Sequence, residues 1–164
     1  MRIGRWVRAW VCGALVTLLI GGAAVFLVDR GSLEGAAACV PTRPDALGPF
    51  YTPNAPVRST VGRGHVLTGV VRSGADCPPV GGARIEFWLA GPSGQYDDAH
   101  RATVIADATG RYRFESNFPP GYAGRPPHIH VRVTAARHQT LVTQYYPQPG
   151  QTEGTFDLVL IPSG

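Results

Sequence analysis

The 164-residue chain reads as an all-β protein, a β-sandwich preceded by an N-terminal hydrophobic helix. Three observations predict this. From residue 65 onward, short runs alternate apolar and polar residues with the period of a strand, and turn residues separate them. No segment of that region repeats apolar residues at helical spacing, and the fifteen prolines of the chain discourage long helices. Ahead of it lies an apolar run from Ala9 to Val28, twenty residues that as a helix would span about 30 Å, the thickness of a bilayer core.

Residues 1–30 are therefore expected to be a transmembrane anchor or a cleaved signal peptide. Arg2, Arg5 and Arg8 in front of the run predict a cytoplasmic N-terminus and an extracytoplasmic location for the rest, membrane-anchored or secreted. Ala36-Ala37-Ala38 offers a small-residue cleavage site. Residues 31–64, rich in Gly, Ala, Pro and Ser, read as a linker and extended arm. Within it, Gly48-Pro49-Phe50-Tyr51 is expected to pack onto the domain as an aromatic anchor.

Residues 65–164 form the sandwich domain. Val66 to Arg72, Ala83 to Leu89 and Arg111 to Glu115 read as strands, the last after the Asp107-Ala-Thr-Gly110 hairpin signal. His128 to Thr134, Leu141 to Tyr146 and Thr155 to Ile161 complete about six.

Half of the net charge of +4 falls before Cys39, where four Arg face two acids, and the rest of the chain is nearly balanced. Every basic residue is Arg, and from Cys39 onward eleven Arg face nine acids. No basic run with interleaved aromatics exists, so no nucleic-acid partner is expected. Of three cysteines, Cys12 falls in the apolar run. Cys39 and Cys77 remain for the exported part, where two cysteines most simply form one disulfide.

His128 and His130 carry the strongest chemical signal. Two apart on a strand, they share a face, and Ile129 points the other way into a core. This is half a metal site that Zn, Cu or Fe would accept. Tyr122 and Arg125 precede it in a Gly- and Pro-rich loop, and Tyr96 lies in another loop after Trp88. The chain has no His-Glu-x-x-His, no nucleophile elbow and no phosphate loop. His65, His100 and His138 read as surface histidines, Trp88 as core, and Asp97 and Asp98 as solvated loop acids, either one an ion-pair partner for Arg125.

The ordered segments Ile85 to Tyr96, Asp107 to Phe114, Pro120-Gly-Tyr122, Arg125-Pro-Pro-His-Ile-His130 and Thr143-Gln-Tyr-Tyr146 resemble the intradiol ring-cleavage dioxygenases. That family has a prealbumin-like sandwich and cleaves catechols with ferric iron. The resemblance implies that Tyr96, Tyr122, His128 and His130 ligate Fe(3+). It implies that Arg125 stabilises negative charge on the substrate and that Gln144 lies close to it. Two phenolates with two neutral imidazoles also suit a hard trivalent ion. The implied partners are a small aromatic diol and O2, the implied product a muconate-type diacid. Loops that build the substrate pocket in the family are short or absent here, so neither the particular diol nor the oligomeric state carries over. A non-catalytic, transthyretin-like binding module of the same shape is the alternative.

Overall fold

The computed structural model describes residues 39–121 and 123–164. The expected hydrophobic helix, the 1–30 segment and Tyr122 lie outside the described residues. Among the described residues no helix is long and apolar enough to cross a membrane.

Among the described residues, eight strands form two four-stranded sheets. They are β1 (His65–Ser73), β2 (Arg84–Trp88), β3 (Arg101–Ile105), β4 (Arg111–Ser116), β5 (Ile129–Thr134), β6 (Leu141–Tyr145), β7 (Glu153–Thr155) and β8 (Leu158–Leu160). One sheet has β1 at its centre, antiparallel to β4 and parallel to both β7 and β8. The other runs β3-β2-β5-β6, antiparallel throughout. The sandwich expected from alternation is thus present.

The core lies between the sheets. β1 alternates buried and half-buried residues along its whole length, so Leu67 and Val71 face inward with Ile85, Phe87, Phe114, Ile129, Val131 and Val133. Phe87 and Phe114 stack at 4.2 Å across the interior. Each such side chain contributes about 1.5–3 kcal/mol by leaving water.

Three expectations need correction. His65 is fully buried rather than a surface histidine, because it shares the inward phase of Leu67 and Val71. Its Nδ1 lies 2.9 Å from the Gln151 carbonyl, and its ring stacks on Tyr145. The single strand expected over 155–161 is two strands. The Phe156 backbone packs against Gly69 with no room for a Cβ, and at the next residue the Asp157 side chain rather than the backbone accepts from Val70 N–H, at 2.9 Å, which interrupts the ladder. Finally, β3 escapes the alternation test. Its central residues are buried on both faces, because Thr103 bonds the Ala55 and Pro56 carbonyls and the arm covers it.

The arm seals both open sides of the sandwich. Residues 56–58 pair with β3, and residues 59–61 pair with Glu115 of β4. At the other side, Thr42 N–H donates to Val159 of β8 and Asp45 N–H to Val142 of β6. Edge strands with unpaired backbone groups are thereby covered. A Cys39–Cys77 disulfide, Cα atoms 5.3 Å apart, ties the front of the arm to the loop after β1.

Candidate metal centre

The register of the β3-β2-β5-β6 sheet places Arg101, Trp88, His130 and Gln144 directly opposite one another in a row across four strands. Opposed residues of antiparallel strands share a face. Here it is the outer face, because Ile129 and Val131 on either side of His130 fill the core. A polar outer face would ordinarily be wet. The arm covers it instead, leaving His128 and His130 only 2% and 1% exposed.

His128 stands just before β5, where Pro126-Pro127 delivers the chain to the strand. Its Nδ1 lies 2.8 Å from the Pro126 carbonyl, which can only accept, so the proton sits on Nδ1. Nε2 is left with a lone pair directed at Tyr96 Oη, 3.3 Å away. The His128 and His130 rings meet edge to face at 4.8 Å, and Tyr96 meets His130 at 6.0 Å. Two imidazoles and one phenol therefore converge from strand β5 and a loop some thirty residues earlier.

That loop is shaped by its own backbone. Gly91 N–H donates to the Gln95 carbonyl and Gly94 N–H to the Gly91 carbonyl, and Gly94 takes a φ of 80°. The turn releases Tyr96 towards β5. Asp97 and Asp98 are exposed loop acids, as expected, and each has a partner. Asp97 caps the short 3-10 turn at Asp98–His100 and bonds His100 Nδ1 at 2.7 Å, while Asp98 pairs with Arg101. His100 is accordingly held in place, and His138 bonds Ser73 Oγ at 3.1 Å.

Arg125 pairs with neither aspartate. Its guanidinium donates to Gln144 Oε1 at 2.7 Å and to Tyr146 Oη at 3.1 Å. Tyr146 Oη in turn donates to Asp45 Oδ2 at 2.8 Å, and Gln144 Nε2 donates to the Ala46 carbonyl. The structure thus brings Arg125 and Gln144 together, and it brings Tyr96, His128 and His130 together. Tyr122, the remaining expected ligand, is outside the described residues.

Electrostatics favour neutral imidazoles. Burial pushes His130 down to about 4, helped by neighbouring His128 and Arg125. Burial also lowers His128, against the Pro126 hydrogen bond. Burial opposes ionisation of Asp45, yet hydrogen bonds from Ala46 and Tyr146 and the charge of Arg125 outweigh it and hold the carboxyl below its ordinary value. His130 Nδ1 is buried and makes no hydrogen bond of good geometry, although the Ala46 backbone acts on the ring. Lone pairs on two uncharged imidazoles beside a phenol are the donors a metal ion requires. Among the described residues no three His, Cys, Asp or Glu side chains gather around a common point.

Sequence reasoning missed several residues of this site. Trp88, expected in the core, is buried on the outer face and stacks on His130. Asp45, Gly48 and Phe50 arrive from the arm, about fifty to one hundred residues before the residues they meet. Tyr146 carried a usable signal, since it lies two residues after Gln144 and so shares its face. A cavity of about 240 Å³ opens among Phe50, Trp88, Tyr96 and Arg101, and another of about 470 Å³ beside Arg43, Asp45 and Gln144.

No protein-family model matches the chain. A chlorocatechol 1,2-dioxygenase of Pseudomonas sp. (strain P51) is 29% identical over 66% of this chain and 57% of its own length. A catechol 1,2-dioxygenase of Candida albicans is 30% identical over 61% of this chain and 45% of its own. The chain thus spans about half the length of the curated relatives it matches. Among solved structures, the dioxygenase domain of a dioxygenase–carbohydrate-binding protein fusion from Streptomyces sp. SirexAA-E matches with a TM-score of 0.68. It is 28% identical, and the match covers 76% of this chain and 100% of that one. In sequence and in its two-sheet fold the chain is thus similar to intradiol ring-cleavage dioxygenases.

Proposed function

We propose that this protein is an extracytoplasmic, ferric-iron-dependent enzyme that cleaves a catechol-like diol with O2 to a muconate-type dicarboxylic acid. The convergence of Tyr96, His128 and His130 on the covered face of one sheet carries the reading. Tyr96, Tyr122, His128 and His130 would hold Fe(3+). Bound there, the ion supplies Lewis-acid withdrawal of electron density from a chelated diol, preparing its ring for O2.

The chain's own residues supply the rest. The Pro126 carbonyl keeps the His128 proton on Nδ1, so Nε2 is available as a donor at neutral pH. Burial keeps His130 uncharged. Tyr122 Oη takes a proton from the incoming diol. Gln144 and Tyr146 fix Arg125, whose charge offsets the negative charge that develops on the ring in a site partly shielded from water. The bond between the two hydroxyl-bearing carbons breaks, and both atoms of O2 enter the diacid, so the atoms balance without another reductant. The disulfide supports an oxidising compartment, where an anchored or exported domain would reside.

Protein reconstituted with ferric iron is expected to be red-brown from tyrosinate charge transfer. With catechol under ¹⁸O2 it should yield a diacid heavier by two labelled oxygens. A colourless protein that takes up no iron would refute the proposal.

A further inference from the structure

Aromatic rings from the arm and from β2 pack against Tyr96 and His130, and the reaction chemistry uses none of them. Phe50 lies face to face with Tyr96, centroids 4.4 Å apart and planes 12° off parallel. Trp88 lies on His130 at 4.9 Å with planes 3° apart. Tyr51 packs at 5.1 Å against the same Trp88, tilted by 59°. Between these contacts the arm backbone comes down on the imidazole itself: a Cβ at Gly48 would stand 2.8 Å from His130 Cε1, and only glycine fits its φ of +74° without strain.

We propose that Gly48, Phe50, Tyr51 and Trp88 form a clamp that sets the ring planes of Tyr96 and His130, making these four residues positioning residues for the metal donors. The inference rests on the ferric reading above for its metal, and on geometry alone for the clamp. Each donor ring needs more than a place in space. A phenolate donates to a metal through an oxygen p orbital whose overlap depends on the rotation of the ring, and an imidazole lone pair lies strictly in its ring plane. A side chain free to rotate about its χ2 would spread both directions over a broad range, since that torsion is soft for aromatic rings. A parallel neighbour within van der Waals distance removes that freedom. For His128 the Pro126 carbonyl fixes the ring through a hydrogen bond to Nδ1. For His130, whose Nδ1 makes no well-formed hydrogen bond, flat contact with Trp88 and the close approach of Gly48 take over. Such supporting partners of metal ligands change metal affinity about 10–100-fold when removed.

The clamp also explains why the arm belongs to the site rather than to the linker. Thr42, Asp45 and Ala46 hold it along β8 and β6, and the disulfide holds its front. Gly48 to Tyr51 are thereby presented as one rigid surface.

The test compares Phe50→Leu and Trp88→Leu, which keep apolar bulk but lose the flat face, with Phe50→Tyr, which restores it. In the ferric protein the two Leu variants should release iron to a chelator about tenfold more readily, and their tyrosinate band should move, while Phe50→Tyr matches wild type. In the metal-free protein, ring flipping of Tyr96 followed by aromatic NMR should be slow in wild type and fast in Phe50→Leu. If Phe50→Leu does not fold, Phe50→Met carries the same comparison. Wild-type band, iron retention and flip rate in both Leu variants would overturn the clamp. Wild-type protein that binds no ferric iron, yet shows slow Tyr96 flipping released by Phe50→Leu, would uphold the clamp and overturn the ferric reading instead.

Discussion

Arg132→Leu tests whether the buried charge on the outer face holds the arm in place. Glu86 stands opposite Arg132 in the β2–β5 register and is 3% exposed. Its Oε2 receives Arg132 Nη1 at 2.6 Å and the Tyr51 hydroxyl at 3.3 Å, and its Oε1 lies 3.7 Å from Arg84. Tyr51 remains a donor throughout the neutral range, because burial and the Glu86 charge raise its pKa. Leucine at 132 removes the shortest contact and the guanidinium that covers the Tyr51 ring at 5.7 Å. Breaking a buried pair from one side costs about 3–5 kcal/mol. Arg132 is 29% exposed and Arg84 stays near the carboxylate, so the expected loss is about 2–3 kcal/mol. Urea unfolding of the metal-free protein at pH 7 measures it. Glu86→Leu combined with Arg132→Leu should recover much of the loss, since no charge is then left buried. A single-variant cost within about 0.5 kcal/mol of zero would refute the reasoning, as would a double variant whose cost equals the sum of the two.

Gly48→Ala should cost about 1–2 kcal/mol for its left-handed backbone and also weaken iron retention through contact with His130. Gly94→Ala, with φ +80° and open space around it, should cost a similar amount without touching iron retention, so equal iron effects would contradict the close approach. Replacing Cys39 and Cys77 by Ser opens a 38-residue loop and should lower stability by about 2–4 kcal/mol, read by denaturation with and without reductant. Metal-free protein should lose stability as pH falls from about 6.5 towards 4, because the unfolded chain takes up a proton on His130 that the folded chain refuses. The full effect is about 3 kcal/mol, His128 adds to it in the same direction, and an unchanged pH slope in His130→Asn would refute it.

Alternation along the chain determined the sandwich and the side of the strand on which His128 and His130 lie. His128, Ile129 and His130 could be assigned to faces from their spacing alone, because strand geometry is local. The imidazoles and phenols proposed as donors are likewise read from residue type and order. What only the tertiary structure decided is which outer face would be dry. His65 turned inward because its phase on β1 met the core, and β3 lost its alternation because the arm buried its second face. Arg125 found Gln144 and Tyr146 rather than an aspartate, and Trp88 came to lie on His130 through pairing of strands some forty residues apart. The arm reads as a linker by composition, yet Asp45, Gly48, Phe50 and Tyr51 complete the site. Their partners are set by how the two sheets and the segment across them pack, and no local pattern in the chain encodes that packing.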